Sequence, residues 1–246
     1  MDGTFFWVAA VAAAMLVGMG KGGLPVVAML AVPVFSLVVS PVAAAGILLP
    51  IYVVSDVFGV WAYRRAFDGR VLAIMAAGMT LGVGFGWATA SLVSERAVTG
   101  MVGAIGLVFA ANLLLRPRVS GTKAPRLGPG LVWGSVAGFT SFVSHTGGPP
   151  YQVYVLPLGL KKAVYAGTTT LAFAWVNAVK LVPYGALGQL SPANLGVAAW
   201  LALPAVAAVF LGVRLVRVLP EALFFRIVTW ALLAVSVRLL WQAAEG

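Results

Sequence analysis

Apolar stretches of about 20 residues follow one another from end to end of the chain, separated by short turns. A helix of that length crosses the hydrocarbon core of a bilayer, about 30 Å thick. In lipid every backbone N–H and C=O must be paired within the protein, so only helices and closed barrels can cross. A barrel would alternate polar and apolar residues along short strands. No such alternation is present. Of the 246 residues 62% are hydrophobic and 9% charged, and the mean hydropathy is +1.04. No polar stretch is long enough for a separate soluble domain. The fold class is therefore an all-α polytopic membrane protein.

Pattern and punctuation give ten helical segments, at 4–20, 24–39, 41–63, 69–91, 95–115, 129–145, 149–160, 163–184, 192–213 and 221–241. Ser40-Pro41 and Ser191-Pro192 each place a capping hydroxyl before a first-turn proline. Ser94-Glu95 and Pro220-Glu221 each put a carboxylate at the positive end of a helix.

The formal charge is +10. In a soluble chain such a balance would raise nucleic acid as a partner. Here the basic residues sit in turns, which reads as orientation signal rather than nucleic-acid binding. Arg64, Arg65 and Arg70 lie in one turn, Arg116, Arg118, Lys123 and Arg126 in the one long loop, and Lys161 and Lys162 in a third. Arg214 and Arg217 follow the ninth segment. Assigning these turns to the cytoplasm predicts a multi-pass cell-membrane protein with both termini outside. Arg96, Arg226 and Arg238 depart from that alternation. The N-terminus has no basic stretch before its apolar run, so a cleaved signal peptide is not expected. The absence of cysteine excludes disulfide, thiolate-metal and thiol chemistry.

The long loop divides the chain into an N-terminal transmembrane repeat at 1–115, a cytoplasmic linker at 116–128 and a C-terminal repeat at 129–246. Gly22-Gly23 and Pro25 match Gly147-Gly148 and Pro150, Asp56 falls opposite Asn177, and the turn at Ser94-Glu95 falls opposite Pro220-Glu221. Five segments per half place the second copy upside down. Two inverted repeats broken at corresponding places are the strongest sequence pointer to a transporter's binding site. The broken pair opening each half is short, which favours glycine-tipped hairpins entering from opposite faces over full spans. Charge fits both arrangements.

At each break a helix begins just after the glycines. Helix N-termini present unpaired N–H groups and partial positive charge, and glycine lets an anion approach them. Lys21, Gly22 and Gly23 at the first tip, with His145, Thr146, Gly147 and Gly148 at the second, are thus candidate substrate ligands. The competing reading is that the glycines serve close helix packing. His145 either contacts substrate, titrates for proton coupling, or bonds structurally across helices. Ser144 and Thr146 read first as local backbone caps. Asp56, deep in an apolar segment, is a functional residue by default, as proton carrier or counter-charge to Lys21. Asn177 and Lys180 share a helix face and join the candidate ligands, although Lys180 at its segment's end can also snorkel. Thr168 is a pathway candidate beside Thr169 and Thr170, with interhelical hydrogen bonding as the plainer role.

Other patterns are structural. Gly78 to Gly86 is spaced for close helix contact, and no strand precedes it to make a phosphate loop. Trp7, Trp61, Trp133, Trp200 and Trp241 read as interface anchors or lipid-facing bulk. No catalytic set, metal cluster or cofactor motif is present, so no enzyme is expected and no ATP-driven pump.

These motifs, in this order, resemble the sulfite exporter TauE/SafE family, also described as the 4-toluenesulfonate uptake permease family. The resemblance runs through Gly18-Met19-Gly20-Lys21-Gly22-Gly23-Leu24-Pro25, Gly138-Phe139 with Thr146-Gly147-Gly148-Pro149, Leu158-Gly159-Leu160 and Ala166-Gly167-Thr168. Arg214 to Glu221 with Arg226 resembles the family's final loop and helix. It implies a secondary transporter of a small sulfur-containing anion such as sulfite or an organosulfonate. Export is favoured by that likeness alone, with a proton or sodium gradient as driver and a homo-oligomer as an open arrangement. Lys21 and His145 stand where the family more often has glycine and a residue other than histidine. Two other readings stay open: an anion channel, and a non-transporting membrane module with a dry interior around Asp56 and His145.

Overall fold

A computed structural model describes residues 3–21, 25–115, 124–218 and 221–245. Among them the regular structure is entirely helical: α1 (Thr4–Lys21), α2 (Pro25–Ala28), α3 (Ala31–Phe35), α4 (Pro41–Tyr63), α5 (Gly69–Ala90), α6 (Glu95–Leu115), α7 (Leu127–Ser144), α8 (Gly148–Val155), a 3-10 turn (Leu156–Leu158), α9 (Lys162–Ala186), α10 (Pro192–Val218) and α11 (Glu221–Glu245). α1, α4, α5 and α10 are each long and apolar enough to cross a membrane. The second segment, expected as one helix over 24–39, is instead two short helices joined by a turn at Met29-Leu30. α8 with its 3-10 extension covers 11 residues. At 1.5 Å per residue that is roughly 16 Å, too short to cross the core alone. α7 begins at Leu127, inside the stretch read as linker, and residues 116–123 lie outside the described residues.

The caps follow the sequence. The Ser40 hydroxyl accepts from Ala43 N at 3.3 Å, Ser94 from Ala97 N at 3.2 Å and Ser191 from Asn194 N at 3.2 Å. Asp68 caps α5 through Val71 N at 2.9 Å. Arg96 has a specific employment. Its guanidinium donates to the carbonyls of Ala243 and Ala244 at 2.6 and 3.0 Å, closing the C-terminus of α11. A cation there answers the helix dipole, so Arg96 follows local helix chemistry rather than the charge rule for loops.

Helices of one half pack on helices of the other. α1 lies along α10 and α7 along α5, while α4 crosses α9 and α6 pairs with α11. Lipid gives no hydrophobic drive to such contacts, so close approach through small residues carries them. A β-carbon on Gly82 would overlap the Ser135 carbonyl, one on Gly138 the Met79 carbonyl, and one on Gly18 the Ala205 carbonyl. Gly78 and Gly134 face each other directly. The outer surface carries the large apolar residues, including Phe58, Phe85, Phe210 and the tryptophans Trp7, Trp61, Trp133, Trp200 and Trp241. Because backbone cannot yield as a side chain can, Gly138→Val is expected to destabilise the α5–α7 pair by about 1–3 kcal/mol. Thermal unfolding in detergent should show a lowered midpoint; an unchanged one would mean α5 and α7 separate at no cost.

The α4–α9 crossing is alike at both ends. Gly46, in the second turn of α4, meets Gln189 in the turn after α9. Gly167, in the second turn of α9, meets Ala66 in the turn after α4.

Candidate functional site

Where α1 ends, α4 and α9 cross, and α7 turns into α8, polar side chains gather inside an otherwise apolar core. Asp56, His145, Asn177 and Lys180 are all buried, Lys180 with no exposed surface at all. The Lys21 ammonium pairs with Asp56 Oδ1. Asn177 Nδ2 donates to the other carboxylate oxygen at 2.6 Å. Both oxygens of Asp56 are thus held, one from each half of the chain. Lys21 also sits 5.7 Å from the centroid of the Tyr52 ring, a distance at which a cation is attracted to the π face.

Lys180 lies one turn beyond Asn177 and reaches the second tip. Its Nζ donates to Ser141 O and Ser141 Oγ, both at 3.1 Å, and approaches His145 Nδ1 at 2.6 Å. The opposite ring nitrogen, Nε2, lies 3.0 Å from the Ala45 carbonyl. A carbonyl can only accept, so the proton of a neutral imidazole sits on Nε2 and Nδ1 offers its lone pair to Lys180. Tyr52 stacks on the imidazole with ring centroids 4.6 Å apart, and its hydroxyl donates to Ala28 O at 2.9 Å. Tyr184 flanks the same ring at 6.2 Å and donates to Phe142 O at 2.6 Å.

The backbone at His145 is in the left-handed region, φ 55°, where it ends α7 by turning its N–H back to Ser141 O. A residue with a β-carbon is rarely found there, and glycine or asparagine would end the helix more cheaply. Such strain costs of order 1–3 kcal/mol and persists where the surroundings fix it. Here the surroundings are Tyr52, Lys180 and Ala45.

The second break of the chain lies beside this cluster, against the turn that follows α2. The face of Gly148 that a β-carbon would occupy is filled by the methyl of Met29, from the turn between α2 and α3. Gly147 packs against Ala137 O and Ser141 of its own hairpin. Thr146 and Ser144 share a hydrogen bond of 2.6 Å and lean on Thr140 O, the local capping role. Pro149 and Pro150 follow Gly148 directly. Proline has no N–H, so the donors this helix start can offer an anion are those of Gly147 and Gly148. Gly22 and Gly23 lie outside the described residues. Thr168 stands apart from the cluster, nine residues of α9 before Asn177, about 13 Å of helix rise. Its hydroxyl accepts from Asp68 N at 2.9 Å and donates to Val164 O at 2.7 Å, fastening the α4–α5 turn.

A cavity of about 250 Å³ approaches the cluster from the end where α4 and α6 begin and α5 and α9 finish. Its wall includes Ala45, Phe142 and Tyr184, three residues that touch His145 or bracket its tyrosine neighbour. Tyr52, Ser141, Tyr184, Ala45 and Met29 are therefore part of the site although their types alone do not mark them. The spacing does for two of them: Tyr52 lies one turn before Asp56 and Tyr184 one turn after Lys180, each on the same helix face as its charged neighbour. No group of His, Asp or Glu able to hold a metal is present among the described residues.

Neither a curated protein nor a solved structure was found to match the chain. A family model, Sulfite exporter TauE/SafE, matches residues 5–239. With that match covering nearly the whole chain, the chain belongs to the sulfite exporter TauE/SafE family of membrane transport proteins.

Proposed function

We propose that this chain is a secondary transporter that carries a small sulfur-containing anion, sulfite or an organosulfonate, through the cluster between α4, α9 and the two breaks. One observation carries the reading: two lysines and a single carboxylate share a buried site, so with both lysines protonated the site is one positive charge in excess. Isolated charge in a low-dielectric interior is costly, and an arriving anion removes that cost. Lys180, His145 and the N–H groups of Gly147 and Gly148 are the proposed ligands, with Asn177 beside them. Lys21 and Asp56 set the charge. For an anion to reach Gly148, Met29 must withdraw, and methionine's three rotatable bonds make that a cheap motion.

The packing supports alternating access as the mechanism. Exchange of partners between halves, α1 on α10 against α7 on α5, is what a two-fold axis in the membrane plane would produce, as are the matched glycine contacts at the ends of α4 and α9. In this reading α2–α3 and α8 are re-entrant hairpins, and the cavity beside Tyr184 belongs to an outward-facing form. The turn at Ala66, seated on Gly167, closes the opposite side.

The test is counterflow in proteoliposomes. Vesicles loaded with unlabelled sulfite should transiently accumulate labelled sulfite, and sulfate loading should give less. Flux without exchange stimulation would make the chain a channel, and no flux of sulfite or sulfonate would remove the transport reading.

A further inference from the structure

The proposed transport reading leaves the coupling ion open, and the hydrogen bonds of Lys180 bear on it. Asp56 is already balanced, since Lys21 and Asn177 take its two oxygens. Lys180 has no carboxylate of its own. The three acceptors around its Nζ, Ser141 O, Ser141 Oγ and His145 Nδ1, are all neutral. An ammonium has three N–H groups and these three partners satisfy them. A neutral amine has two N–H groups and a lone pair. The same shell satisfies that form too: the Ser141 carbonyl and His145 Nδ1 still accept, while the Ser141 hydroxyl rotates and donates to the nitrogen. The geometry therefore holds Lys180 equally well with and without one proton. Buried charges without a partner either acquire one or give up their proton. The charged or titratable groups facing this lysine are Asp56 on α4, Lys21 at the end of α1 and His145 at the end of α7, with Tyr52 and Tyr184 flanking the imidazole. The cavity comes within one side chain of the imidazole, because Ala45 and Tyr184, which bracket His145, line it.

We infer that the Lys180–His145 pair is a proton-binding site, and that one proton enters it with each monovalent anion. The inference rests on the anion-transport reading above. The balance is simple. With the proton, Lys21, Lys180 and Asp56 sum to one positive charge, and a bound monoanion makes the site neutral. Without proton or anion the site is neutral again. Proton and anion therefore travel together in the same direction, and net charge moved per cycle is zero.

Calorimetric titration of the purified full-length protein in detergent tests this, using buffers of different ionisation enthalpy. Methanesulfonate is the first probe, because as a strong-acid anion it brings no exchangeable proton. Wild-type protein is expected to take up about one proton from buffer per anion bound. Sulfite is the second probe, used on the acid side of its own pKa, where it is already a monoanion and takes no proton itself; about one proton should again be taken up. In Lys180→Met, whatever methanesulfonate binding the variant retains should occur without uptake. Binding of either anion by the wild type without proton uptake overturns the inference while leaving anion transport standing. So does methanesulfonate-linked uptake that survives in Lys180→Met. If that variant fails to fold or to bind, wild-type methanesulfonate affinity decides instead: it should fall about tenfold per pH unit through the alkaline range, where that anion's own charge never changes, and a flat profile there overturns the inference. Failure of both anions to bind at all removes the transport reading, and this inference with it.

Discussion

Asp56→Asn is expected to stop turnover of the transporter while tightening its hold on the anion. The carboxylate is what prevents Lys21 from acting as an anchor for the anion. Neutralising it leaves Lys21 and Lys180 together against one substrate charge. One added unit of positive charge about 8 Å away is worth about 2 kcal/mol at an effective dielectric constant of 20. That is roughly a thirtyfold gain in affinity, obtained at the expense of release. The variant should also lose stability, by about 3 kcal/mol if the stranded ammonium finds no water. Lys21 is partly exposed, with 22% of its side-chain surface accessible, so the loss should fall short of that figure. Removing both partners in Asp56→Asn/Lys21→Met separates the two effects. Replacing a whole buried pair by neutral groups is often close to neutral for stability, so the double variant should melt near wild type. Its exchange rate should still be at least tenfold down, because a charged group that organises the site is gone. Wild-type sulfite exchange in the double variant would sink the assignment of this cluster as the pathway.

Hydropathy made the helices legible, because in lipid a helix has to run the length of its apolar stretch and few other structures are possible. The ends of α4, α5, α6 and α10 follow from a capping serine, aspartate or glutamate and, in two cases, a first-turn proline. The packing face of α5 could be read from Gly78, Gly82 and Gly86, spaced at one helical turn. The second segment could be read only in part. Pro33 lacks the N–H that would bond the Met29 carbonyl and its ring crowds that carbonyl, which argues against one unbroken helix. The other residues of Val26 to Val34 are apolar and equally at home in a helix and in a buried turn, so they do not show the form the break takes. Met29 itself carries no sign that it will cover Gly148, because that contact depends on how two segments far apart in sequence meet. Asp56, His145, Asn177 and Lys180 were findable as polar groups where lipid forbids them. Which partner each would take was not, apart from the opposite charges of Lys21 and Asp56. The tyrosines hid for a different reason: an aromatic residue near a membrane surface has an ordinary explanation, and only its spacing from a charged neighbour suggests another. Pro149 and Pro150 were in plain view, and a residue type that lacks an N–H restricts the donors an anion can meet wherever it stands.

Gly148→Leu should abolish anion exchange in a protein that still inserts and remains monodisperse. Two properties of the position separate function from folding here. Gly148 opens α8 and has no positive φ, so a side chain brings no backbone strain. The atom a β-carbon would strike is the terminal methyl of Met29, the far end of a flexible side chain, whereas Gly82 and Gly138 would strike backbone. Leucine at Gly148 can therefore be accommodated by swinging Met29 aside, at a cost of about 1–3 kcal/mol. It then stands where the anion would meet the Gly147 and Gly148 N–H groups, and its branched carbon chain offers the ion nothing. Loss of those contacts should lower anion affinity by at least a hundredfold, about 3 kcal/mol, the usual worth of hydrogen bonds to a charged group. Met29→Ala gives the opposite sign. It uncovers the tip without adding bulk, so it should leave the fold intact and admit sulfonates larger than those the wild type exchanges. Size-exclusion chromatography establishes monodispersity, and labelled-sulfite exchange reads the rate. If Gly148→Leu exchanges sulfite as the wild type does, the anion passes elsewhere, and the contact of Met29 with Gly148 serves packing alone.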